Sequence, residues 1–197
     1  TRSSWEVSLE GVLRLNVPHV SIYILEVDED SRLGAEVLLN GKRYGAPDIP
    51  SEESQVWMYE LALERLAAAG VMRYEISNFA RPGWESVHNL KYWRLEPYLG
   101  FGADAHSFDG EWRWQNTDTV GDYAFGTRER ADVGNERYWV GLRLNEGVVV
   151  DGRFPAEIER FVVEGLLERF GDRVRLTNRG VLLSNEVFEA FVGERLD

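Results

Sequence analysis

A helix-period stretch that runs straight into a short β-type run limits the folds open to this chain. Trp5, Leu9, Val12 and Leu13 recur at helical spacing. PHVSIYILEV follows, in which residues 20–27 are nearly all apolar and rich in β-branched and aromatic side chains. A 3.6-residue period buries one stripe of a helix, whereas a short unbroken apolar run is what a strand covered on both faces carries. A helix feeding a buried strand predicts an α/β layer. Residues 51–69 reinforce the helical half. Ser51 after Pro50 is an N-cap, Glu52 and Glu53 face the positive end of the helix, and Val56, Tyr59, Leu63 and Leu66 share one face. Gly70 is the stop.

Downstream, MRYEISNFA reads as a strand, ARPG as a turn and HNLKYWR as a short helix; YLGFGADAHSF and DGEWRWQNT read as strands joined through Asp109-Gly110. From about residue 126 the pattern changes. NERYWVGLRL is helical, Ile158, Phe161, Val162 and Leu166 mark a helix ending at Gly171, DRVRL is a short strand, and TNRGVLLSNEVFEAFV is a last helix. That order predicts a small winged-helix-like domain over 126–197, after a mixed α/β region over 1–125.

Bulk properties remove several functions. The 197 residues suffice for one large core, or for a main domain with a small appended one. With 22 Lys and Arg against 34 Asp and Glu, the net charge of −12 repels phosphate backbones, so no nucleic acid is expected as a partner. The winged-helix outline does not reverse this, because its last helix carries Glu186, Glu189 and Glu194 against Arg179 and Arg195. No apolar run approaches the roughly 20 residues that cross a bilayer, so the chain is not expected to span a membrane. The absence of cysteine excludes disulfides, thiolate zinc, cysteine nucleophiles and thiolate-held iron–sulfur clusters within these residues, and makes a cytoplasmic setting the default. The opening TRSSWEVSLEGVLRL has no initiating Met and starts within a helix, so a fragment of a longer protein is expected.

Chemistry concentrates in HNLKYW. On a helix, His88 and Tyr92 stand one above the other at i and i+4, with Asn89 and Trp93 in the neighbouring row. Imidazole is a common axial ligand of haem iron, and flat rings suit a porphyrin face. The same residues also read as core anchors, with His88 bonded to a carbonyl; by residue type alone that is the commoner case. GFGADA superficially fits G-x-G-x-x-G/A, yet no helix opens after it. A strand kept slim by Gly100, Gly102, Ala103 and Ala105 fits better, either for a ligand or for close packing. Asp104 and His106, two apart on a strand, form a possible acid/base pair but are too few for a metal site. His19, VDEDS and SEE carry no assigned chemistry, and no catalytic residue or metal ligand is assigned.

Taken together, YEISNFARPGWESVHNLKYWRLEPYLGFGADAHSF resembles the signature region of the HemW family, radical-SAM haem chaperones related to oxygen-independent coproporphyrinogen III oxidase (HemN). PHVSIYILEVDEDSRL, GLRLNEGV and RVRLTNRGVLLSNEVFEAF are similar to that family in the same order, and HNLKYW fits the HNxxYW pattern that separates it from the oxidase. The resemblance implies an α/β fold. Residues 1–125 would be the C-terminal part of a partial (β/α) radical-SAM barrel with a mixed α+β extension, Trp5 to Val27 being its last helix and strand; 126–197 would be a HemN-type helical, winged-helix-like domain. It implies that His88 binds haem, that Asn89, Tyr92 and Trp93 shape its surroundings, and that Glu26 and His106 lie nearest the adenosine of S-adenosylmethionine (SAM). Haem, SAM and a [4Fe-4S] cluster are the implied cofactors, and haem-accepting apo-proteins the implied partners. The implied function is haem transfer, with oxygen-independent coproporphyrinogen III oxidase activity as the alternative. Three departures stand out. The CxxxCxxC loop and the glycine-rich SAM strands are absent, so these residues cannot hold the cluster by that motif. The intervals from GDYAF to YWVGLRL and from LNEGV to RVRLTNRG are shorter than the family's usual spacing, and Asp104 stands where the family commonly has Gly.

Overall fold

The computed structural model describes residues 1–121, 124 and 126–192. They form two compact units, one of Thr1–Arg73 with Ser77–Glu85, the other of Tyr74–Ile76 with Ser86–Asp197. The boundary expected between residues 125 and 126 lies inside the second range. Glu194, Arg195 and residues 122, 123 and 125 of GDYAF lie outside the described residues.

The first unit opens on α1 (Arg2–Leu15), capped by the Thr1 hydroxyl and closed by Asn16 in the left-handed conformation, φ 53°. Then come β1 (His19–Ser21), α2 (Arg32–Leu38), a 3-10 segment (Arg43–Asp48) and α3 (Glu52–Ala68). The expected capping of α3 is present: Ser51 Oγ accepts from the Ser54 N–H at 3.3 Å. Tyr59, Ala62 and Leu66 form its buried stripe, and the Trp5 indole N–H of α1 donates to the Met58 carbonyl at 2.7 Å. Phe79 and Leu9 complete this core, with the Tyr59 and Phe79 rings edge-on at 6.4 Å.

Two of the expected strands are shorter in the structure. MRYEISNFA breaks at Ile76 and Ser77 into β2 (Met72–Glu75) and β3 (Asn78–Ala80), and the division between the units falls within β2. The strand expected over residues 20–27 is only β1, antiparallel to β3 with His19 opposite Ala80. β3 begins at Asn78, so pairing is exhausted when the Ile22 N–H reaches the Ser77 carbonyl at 2.8 Å. Residues 23–27 then carry no strand, and Tyr23 is 74% and Leu25 47% exposed. Apolar residues alone do not make a strand where no neighbouring backbone satisfies the ladder.

In the second unit, α4 (Val87–Trp93) precedes a three-stranded antiparallel sheet in the order β4 (His106–Phe108), β5 (Trp112–Gln115), β6 (Glu129–Arg130). The β4–β5 hairpin turns at Asp109-Gly110 as expected: Asp109 Oδ1 accepts from the Glu111 and Trp112 N–H groups at 3.1 and 2.8 Å, and Gly110 has φ 103°. The strand expected from Tyr98 onward is shorter, because Gly102 (φ 101°) and Asp104 (φ 64°) turn the backbone and leave only β4.

α5 (Val133–Gly141), β7 (Val148–Val149), α6 (Pro155–Val163), β8 (Leu167–Phe170), β9 (Arg173–Leu176), α7 (Asn178–Leu182) and α8 (Ser184–Glu189) follow, with a second antiparallel sheet in the order β7-β9-β8. This part of the chain holds a β8–β9 hairpin, with β7 on the other side of β9. Its helix does not run to Gly171. α6 stops at Val163, Gly165 (φ 72°) reverses the chain, and Gly171 (φ 62°) is the hairpin turn. The last helix divides at Leu183 into α7 and α8. Tyr138, Ile158, Phe161, Val174, Val187 and Phe191 are the buried centre of this part.

Candidate functional site

The site is built on α4. Ser86 Oγ accepts from the Asn89 N–H at 3.3 Å, and the Ser86 N–H donates to the Tyr74 hydroxyl at 3.2 Å, so the first turn is tied down by its cap and from β2. At the other end Leu95 takes φ 55°, and the Glu96 N–H returns to the Lys91 carbonyl at 2.8 Å. This left-handed reversal satisfies a terminal carbonyl and confines the helix to seven residues.

On that short helix His88 is exposed, and the rings of His88 and Tyr92 meet edge-to-face, centroids 4.9 Å apart at 84°. Their i, i+4 spacing thus brings them together as expected. Val87 beside them is 70% exposed, adding apolar surface next to the imidazole. Asn89 is half-buried. Trp93 anchors the helix. It is half-buried, with the Arg143 guanidinium 4.4 Å from its ring centroid. Arg143 also pairs at 3.7 Å with the carboxylate of Glu75, whose side chain is 1% exposed. Arg94 makes two contacts to Glu146, at 3.2 and 3.3 Å, on the surface.

Residue order gives no local signal for three further side chains at the site. Arg143 and Glu75 are far from HNLKYW in sequence. Tyr98 lies six positions beyond Tyr92, across the Leu95 reversal, yet their rings are 4.6 Å apart at 68°. Burial raises the Tyr98 pKa, opposed by attraction to Arg113.

The glycine stretch packs against its own continuation. A Cβ at Gly100 would stand 2.2 Å from the His106 carbonyl oxygen, while the Asn116 side-chain amide donates to the Gly102 carbonyl at 2.9 Å. Contrary to the expected strand pair, Asp104 sits in the turn, outside β4, and accepts a hydrogen bond from Gln115, so it shares no strand face with His106. Among the described residues no three His, Asp or Glu side chains gather as a metal site, and no helix is long and apolar enough to cross a membrane.

No family model matches the chain. Curated relatives do. It is 35% identical over 212 residues to the "Heme chaperone HemW" of Bacillus subtilis, covering 96% of this chain and 55% of that protein. The Lactococcus lactis protein of the same name is 33% identical over 205 residues, 93% of this chain and 53% of its own. This chain is a HemW homologue. The Escherichia coli HemW is 28% identical over 209 residues, and the chain spans about half the length of the HemW relatives it matches, 53% in this case. A solved structure shares the fold of this chain. The solved structure described as "Coproporphyrinogen III oxidase (HemN) from Escherichia coli is a Radical SAM enzyme" superposes with a TM-score of 0.65 at 17% identity, over 97% of this chain and 51% of that one. The α/β fold class follows.

Of the two residues expected near SAM from the sequence, Glu26 is exposed in the first unit, beyond the end of β1. His106 is exposed in the second, opens β4 and faces Gln115 in register.

Proposed function

We propose that this chain carries the haem-binding part of a HemW-type haem chaperone, with His88 as axial ligand, and that the whole protein passes haem to apo-proteins in the cytoplasm. One observation carries the reading: an exposed imidazole held edge-on by Tyr92 on a helix capped at both ends. Such a ligand meets iron without first being pulled from a packed interior, and the neighbouring rings and Val87 offer apolar contact to a porphyrin. Asn89 and Trp93 shape the base of the site. The names of the relatives point the same way.

Haem enters as cargo. The implied [4Fe-4S] cluster does not fit these residues, which contain no cysteine to ligate it. Glu26 and His106 are proposed as the SAM-proximal groups. Both are exposed and able to hydrogen-bond a ribose or adenine, and no chemical step is assigned to them. The oxidase reading rests on shared fold alone, and anaerobic turnover of coproporphyrinogen is its measurement.

The test of the main reading is titration of the chain with ferric haem, followed through the Soret band. Saturable binding with a histidine-ligated spectrum is expected, and His88→Ala is expected to lose that spectrum. An unchanged spectrum in His88→Ala would remove His88 from the role.

A further inference from the structure

The ring that holds Tyr92 comes from outside α4. Tyr98 is fixed by its backbone: its N–H donates to the Phe108 carbonyl at 2.8 Å, and its carbonyl accepts from the Phe108 N–H at 2.9 Å. So pinned to β4, it sets its ring edge-to-face on Tyr92 at 4.6 Å, and Tyr92 in turn meets His88 at 4.9 Å. Behind Tyr98 the support is buried. Phe108 is 1% exposed, the Arg113 guanidinium lies 4.9 Å from its ring centroid, and Arg113 pairs with Glu136 of α5 at 2.6 Å. The Glu136 side chain is only 14% exposed.

A histidine alone on a helix surface samples several staggered rotamers. Edge-to-face rings carry an orientational preference beyond the area they bury. A ladder of three such rings therefore holds the first through the second, provided the third cannot move. We infer that Tyr98, seated on β4 and backed by Phe108 and the Arg113–Glu136 pair, is a positioning residue that orients the His88 imidazole through Tyr92. This rests on the haem-ligand reading of His88.

The inference is tested on the 197-residue chain with ferric haem. Kd is read from the Soret band, and axial ligation from electron paramagnetic resonance. Tyr98→Leu removes the ring but keeps apolar volume; it is expected to raise Kd roughly 2- to 10-fold and to mix in a second ligation state. Tyr98→Phe keeps the ring and is expected to restore both parent values. If His88→Ala keeps the parent spectrum, the ligand reading fails and takes this inference with it. If His88→Ala loses the histidine spectrum while Tyr98→Leu matches the parent in Kd and spectrum, the positioning role alone is overturned. A second measurement needs no variant. Ring-to-ring nuclear Overhauser contacts from Tyr98 to Tyr92 and from Tyr92 to His88 are expected in the haem-free chain, and their absence overturns the inference even if the leucine variant fails to fold.

Discussion

Gly100→Ala asks whether the glycine stretch before β4 is slim because it packs on its own backbone. The added Cβ would stand 2.2 Å from the His106 carbonyl oxygen and 3.0 Å from the Ala105 Cβ. Carbon and oxygen without a bond rest at roughly 3.3 Å or more, so the segment must retreat by about 1 Å. That retreat pulls on the Gly100 N–H bond to Ser107 Oγ, 3.0 Å, and on the Asn116 amide bond to the Gly102 carbonyl, 2.9 Å. Overpacking of this kind costs about 1–3 kcal/mol, and a loosened hydrogen bond about 1 kcal/mol. Against this, alanine gains roughly 0.4–1 kcal/mol by restricting the unfolded chain. A net loss of about 2 kcal/mol is expected, which for a protein of this size lowers Tm by roughly 4–8 °C. Urea unfolding followed by tryptophan fluorescence measures it. Two controls separate steric clash from glycine loss. Gly121→Ala meets open space and is expected to change stability by less than about 0.5 kcal/mol. Gly11→Ala also meets open space, inside α1, and is expected to stabilise by about 0.5–1 kcal/mol. Parent-like stability of Gly100→Ala would refute the reasoning, because no repacking short of opening the turn removes the clash.

The other expectations are smaller. Ser51→Ala removes the hydroxyl that caps α3 and is expected to cost about 1 kcal/mol in urea unfolding. Asp109 is held below the usual carboxylate range by the Trp112 and Glu111 N–H groups, and Asp151 by the Tyr138 hydroxyl and then the Arg153 N–H. A carboxylate depressed in the folded state contributes stability that is fully present above its unfolded value, near pH 4, and is lost as pH falls through the lower folded value. Unfolding midpoints should therefore decline below about pH 4, and Tyr138→Phe should move the Asp151 carboxyl titration, followed by carbon-13 shifts, back up toward the ordinary range.

Local signals were the legible ones. Ser51, Glu52 and Glu53 announce the start of α3, Asp109-Gly110 announces the β4–β5 turn, and HNLKYWR announces α4, because caps, turns and side-chain rows act within a few residues. The His88–Tyr92 face was legible for the same reason. What failed was pairing. Residues 23–27 look like a strand, but β3 starts too late to pair them. LERF at 167–170 continues a helical period, but β9 captures it, setting Leu167 opposite Leu176. Tyr98 was not legible at all, since its place beside Tyr92 depends on the left-handed Leu95 and on Phe108.

The sequence by itself determined where α3 and α4 form, the face of α4 that His88 and Tyr92 share, and, through its likeness to HemW, the family relationship. Tertiary structure alone decided which apolar runs became strands, that the GFGADA backbone packs on itself, and that His88 stands exposed with a buttress of two tyrosine rings. The reason is physical: helices and turns satisfy their hydrogen bonds within a few residues, whereas strands and ring contacts need a partner that arrives from elsewhere in the chain.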